Sequence, residues 1–94
     1  MSKGFIAYFY FSRGNESFNL ELAHGDYTFV WFARIYDGKG GSTSREAHGR
    51  WTQTGDDITF VVQHVEPGCP VPTRATDKPC SVEVEGFGEF QLDR

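Results

Sequence analysis

Hydrophobic and polar residues alternate with a period of two along most of this chain, and no stretch carries a convincing period of 3.6. Residues 4–12 place Phe5, Ala7, Phe9 and Phe11 on one face and Ile6, Tyr8 and Tyr10 on the other. Residues 17–23 set Phe18, Leu20 and Leu22 against Asn19 and Glu21. The longest apolar run, 27–36, has Tyr27, Phe29, Trp31, Ala33 and Ile35 on one face and Val30, Phe32 and Arg34 on the other. Residues 45–54 form a more polar run carrying Trp51, and in 57–65 Ile58, Phe60, Val62 and His64 share a face. The last run, 81–92, sets Val82, Val84, Gly86, Gly88, Phe90 and Leu92 against Glu83, Glu85, Phe87, Glu89 and Gln91.

Short turn signals separate these runs. They are Arg13-Gly14-Asn15-Glu16, His24-Gly25-Asp26, where Gly25 is expected to take a positive φ, and Gly55-Asp56. Two connections are longer: a glycine-rich segment over 37–44 and a proline-punctuated loop over 66–80. The pattern predicts an all-β fold in one domain spanning residues 1–94, a six-stranded antiparallel meander with no substantial helix. With no helix to cover a face, the sheet is expected to close into a small barrel or a strongly curled half-barrel. Gly86 and Gly88 on the inner face of the last strand would leave room for a large neighbour such as Trp31 or Trp51. Composition agrees: Val, Ile, Phe, Tyr, Trp and Thr supply 32 residues and Leu, Ala and Met only 9, a balance that favours pleated surfaces over helices.

The first and third runs are apolar on both faces. In a one-layer meander their outward residues would meet water, and a contiguous apolar patch of that kind usually marks a partner surface. The expected partner is a second copy, giving a twofold homodimer through Ile6, Tyr8, Tyr10, Val30 and Phe32. Phe87, flanked by glycines among outward glutamates, is a further candidate contact.

Phe18-x-Leu20-x-Leu22 leading to Gly25-Asp26-Tyr27, then Gly49-x-Trp51, then Gly55-Asp56-x-Ile58-x-Phe60, resembles the hairpin rhythm of small bacterial lipocalin-like proteins over residues 17–62. The resemblance implies a β-barrel that carries a small apolar or aromatic ligand between its sheet faces. The Gly-x-Trp pair lies on the fourth run and not the first, and six strands are fewer than the family's eight, so only the fold class is carried over. Candidate ligand contacts are read from the inner faces: Trp31, Trp51, Phe60, His64, Gly86 and Gly88.

Charge and chemistry-bearing residues narrow the functions. The net charge is −4, and residues 55–94 hold three basic and eight acidic side chains, so a nucleic-acid backbone is not an expected partner. No segment reaches the roughly 18 apolar residues of a membrane span, and the apolar start after Met1-Ser2-Lys3 is too short and too aromatic for a signal peptide. Cys69 and Cys80 bracket ten residues containing three prolines, a spacing that suggests a disulfide worth about 3 kcal/mol. An oxidised pair would imply a periplasmic or secreted protein whose signal was removed; reduced thiols would suit the cytoplasm. No tetrahedral metal motif accommodates His64, Cys69 and Cys80. No nucleophile stands beside a base, the Gly38–Ser42 stretch lacks the order of a phosphate loop, and Glu83 with Glu85 reads as an acidic edge. The expectation is therefore a protein without catalytic residues or cofactor, an interaction module or alternatively a carrier.

Overall fold

The computed structural model of the chain describes residues 5–93. Gly4, the expected start of the first strand, and the Met1-Ser2-Lys3 segment lie outside them. The strands are β1 (Ile6–Arg13), β2 (Glu16–Ala23), β3 (Thr28–Tyr36), β4 (Ser42–Thr54), β5 (Asp57–Val65), β6 (Arg74–Lys78), β7 (Ser81–Val84) and β8 (Gly88–Leu92). Each pairs antiparallel with the next, and β8 returns to β1, so the meander closes into a barrel. The closing seam is short: Phe9 faces Leu92, Tyr10 faces Gln91, and the Asp93 N–H donates to the Tyr8 carbonyl.

The barrel has eight strands where the hydrophobic pattern gives six, for two local reasons. The proline-rich loop contains β6, a polar five-residue strand whose one fully buried apolar side chain, Ala75, is too weak a signal to register as alternation. The run 81–92 is a hairpin and not one strand. The Phe87 N–H donates to the Val84 carbonyl (3.0 Å) around Gly86, whose φ of 86° is a conformation that favours glycine. Gly88 then pairs with Val84, and Glu89 lies directly opposite Glu83. Lys78 reaches across to both carboxylates, at 3.0 and 4.0 Å, which offsets the like-charge pairing and raises the lysine's pKa.

Most of the positions read as inward on the first five strands fill the interior, whereas Phe5, Tyr27 and Ile35, at the ends of their runs, are exposed. Ala7, Phe9, Phe18, Leu20, Leu22, Phe29, Trp31, Ala33, Trp51, Ile58 and Phe60 are buried, joined by Ala47, Val82, Val84 and Phe90. Trp31 lies between Phe18 (5.4 Å between ring centres) and Phe90 (5.5 Å), and Phe29 meets Phe60 edge to face at 5.0 Å. The connections 66–73 and 85–87 lie at one end of the barrel. There the Trp31 indole N–H donates to the Pro70 carbonyl (2.7 Å), and Pro72 is buried. At the other end the turn between β2 and β3 differs from expectation. Its left-handed residue is Tyr27, with φ of 57°, and not Gly25; the Tyr27 ring packs 5.0 Å from Trp51 instead of beginning a strand.

Candidate functional site

The candidate ligand contacts separate once the barrel closes. Trp31, Trp51 and Phe60 are core residues, at 0, 2 and 6% exposure, engaged with other rings. The Trp51 indole N–H is likewise occupied, donating to the carbonyls of Ala23 and Thr28. Gly86 is in the hairpin turn. Gly88 faces Phe11, whose ring would lie 2.5 Å from an added Cβ, so the space it leaves belongs to that phenylalanine and not to either tryptophan. These residues build and fill the barrel.

His64 leaves the inner face altogether. Pairing between β4 and β5 follows one register from the Gly55-Asp56 turn to Gly49↔Val62, then shifts so that His48 faces His64 and Gln63 is the extra residue of a β-bulge. The shift reverses the side-chain phase and turns His64 outward. Gly49 makes this possible: a Cβ there would lie 2.1 Å from the Val61 carbonyl oxygen and 2.8 Å from the Gln63 nitrogen. The two exposed imidazoles stack with centres 5.1 Å apart. A straight count of positions back from the turn misses this pair. The signal that could have found it is the glycine in mid-strand, which often marks a bulge.

The outward residues of β1 and β3 fall together on the outer wall. Cross-strand pairing gives one row of Tyr8, Glu21, Val30 and His48 and the next of Tyr10, Asn19, Phe32 and Glu46. Ile6 and Tyr10 are exposed, and Tyr8, Val30 and Phe32 are half-buried. A cleft of about 340 Å³ indents this face between Tyr10, Phe32, Arg34 and Tyr36, with Asn19 and Ser44 on its lining. Glu21 and Glu46 share this wall with Arg34 and Arg50, and Asp93 adjoins Tyr8 at its β8 edge. Phe87 does not join the face. It closes the barrel end, edge-on to Phe18 (5.1 Å) and Trp31 (4.9 Å), with the Arg13 guanidinium 5.6 Å over its ring.

The opposite end carries a cleft of about 590 Å³ lined by His24, Asp26, Tyr27, Arg50, Trp51 and Gln53. His24 is wedged between the Phe5 ring (4.1 Å, stacked) and Trp51 (5.0 Å, edge-on), and its Nδ1 is buried without a partner among the described residues. Its place in a turn gave no sequence signal of that burial.

Cys69 and Cys80 are both free. Cys69 packs against the core at the Pro70 end, and its thiol is pushed up by burial and by the neighbouring Glu66 carboxylate, with Arg45 opposing. Cys80 is exposed beyond β6, at the end where Phe5 and His24 lie. The intervening strand alone spans about 13 Å at the usual rise per residue, farther than the roughly 7 Å that a disulfide bridges. The expected cross-link is absent because β6 separates the cysteines. Among the described residues no three His, Cys, Asp or Glu side chains converge as a metal cage. Comparison of the chain with protein-family models, curated proteins and solved structures found no match.

Proposed function

We propose that this protein is a non-enzymatic interaction module that pairs with a second copy of itself through the outer wall of β1–β3. The observation that carries the reading is the continuity of Ile6, Tyr8, Tyr10, Val30 and Phe32 on the outside of a barrel whose inside is filled by its own side chains. Closure leaves this apolar surface no partner among the described residues, and burying it is favourable at about 25 cal/mol per Å². A second copy suits it because the face carries both carboxylates and guanidinium groups, so Glu21 or Glu46 of one copy can meet Arg34 or Arg50 of the other. Twofold pairing also makes one patch complementary to itself.

The test is mass in solution by light scattering, for wild type, Tyr8→Asp and Phe32→Lys. Wild type should run at twice 10.6 kDa and both variants at 10.6 kDa with unchanged circular dichroism. A wild type that stays at monomer mass at hundreds of micromolar, or variants that remain dimeric, would overturn the reading.

The carrier alternative is favoured by one observation, the His24–Trp51 cleft, where the orphaned Nδ1 offers a small aromatic ligand an unused hydrogen-bonding group. That reading moves the ligand from the barrel interior to its open end. Saturable quenching of tryptophan fluorescence by a small aromatic such as indole, lost in Tyr27→Ala, would distinguish it from self-pairing.

A further inference from the structure

The His48–His64 pair is the feature that neither the barrel's packing nor the apolar face explains. Two exposed imidazoles are held opposite one another, on adjacent antiparallel strands, by a bulge whose backbone leaves no room for a side chain at position 49. Without that one-residue shift, His48 would face Gln63, and His64 would point inward opposite Ala47. Neither ring makes a hydrogen bond to another described residue, so both keep a nitrogen lone pair available in their neutral form.

We infer that His48 and His64 form a bidentate site for a divalent transition-metal ion of the zinc class. The spacing fits. Zinc binds imidazole nitrogen at about 2.0–2.1 Å, and two rings sharing one tetrahedral ion have centres about 5 Å apart; here they are 5.1 Å apart. The rings lie 25° from parallel, so a turn about χ2 is needed to aim two nitrogens at one point. Both side chains are exposed, so the rotation takes place at the solvent face of the sheet. Imidazole selects zinc, copper or nickel over calcium or magnesium, which prefer oxygen ligands. With no third ligand from this chain among the described residues, the ion keeps open positions. Both donors belong to one chain, so the inference does not depend on self-pairing.

The experiment is titration of the whole protein with Zn²⁺ at pH 7.5, followed by calorimetry and by the imidazole resonances of the three histidines. One ion should bind per chain, moving the His48 and His64 signals together and leaving those of His24 in place. His48→Ala and His64→Ala should each weaken binding about 100-fold, the low end of what joining two ligands in one molecule supplies. Both substitutions are at exposed positions, and circular dichroism confirms that the variants are folded. Absence of saturable binding below 1 mM Zn²⁺, or unchanged affinity in either variant, would overturn the inference. The mass of the same samples reports self-pairing separately.

Discussion

Gly49→Ala is the sharpest test of how the β4–β5 hairpin is built. At an unstrained strand position, alanine is more stable than glycine by about 0.5–1 kcal/mol, because glycine loses more backbone freedom on folding. Here the new methyl would lie 2.1 Å from the Val61 carbonyl oxygen, 2.8 Å from the Gln63 nitrogen and 3.1 Å from the Phe29 ring. Two of these contacts are backbone, so the strands must separate by an ångström or so. Overpacking of this kind costs about 1–3 kcal/mol, and each ladder hydrogen bond lost with it adds about 1 kcal/mol. The expected destabilisation is about 3 kcal/mol. A domain of this length is typically stable by about 5–14 kcal/mol, so the variant should still fold. In urea unfolding followed by the emission of buried Trp31 and Trp51, a slope near 1 kcal/mol/M puts the midpoint lower by about 3 M. The sign is decisive: an unchanged or raised midpoint would mean that the bulge, and with it the outward turn of His64, is not as described.

Two further outcomes follow from the thiols and from the glycine-rich loop. Intact mass should be the same with and without reductant, and a maleimide should modify exposed Cys80 well before Cys69, whose thiolate is disfavoured by burial and by Glu66; equal rates would refute that placement. Asp37 accepts from the Lys39 (2.7 Å) and Gly41 (3.1 Å) N–H groups, which lowers its carboxyl pKa below the ordinary aspartate value. A folded pKa below the unfolded one gives stability that is present above the unfolded value and lost as pH falls through the folded one. The melting temperature of Asp37→Asn should therefore lie below that of wild type near neutrality and converge on it in acid, as pH falls through the lowered folded value; a gap that widens towards acid would refute the turn.

The all-β class, the antiparallel meander and the central part of the inner faces of the first five strands could be read directly, because half-buried strands leave a strict alternation such as Phe18, Leu20, Leu22. What escaped reading has a common cause, namely places where few side chains carry the signal. β6 has one fully buried apolar residue, Ala75, and a two-strand hairpin around Gly86 imitates one long strand because alternation resumes in the same phase. The bulge at Gln63 makes the opposite error, continuing the alternation to His64 after the backbone has changed phase. Phe87 illustrates a different limit. Its neighbours in sequence are glycine and glutamate, yet the turn folds its ring over Phe18 and Trp31, a contact set by three-dimensional closure that no local pattern encodes. The outward aromatic face was legible because β1 and β3 violate one-sided alternation together.

The brevity of the β1–β8 seam has a consequence for how the chain acquires its shape during synthesis. Every other strand pairs with its immediate successor, so those contacts can form as each segment emerges. Phe9 must wait for Leu92, 83 positions later. Pairings so distant in sequence are slow to form, because the loop must close before they contribute. Until then the nascent sheet is an open ribbon with β1 along one free edge, offering unpaired amides and an apolar face to neighbouring chains. The vulnerable period of this protein thus runs from the emergence of β1 until β8 has been made and has closed against it.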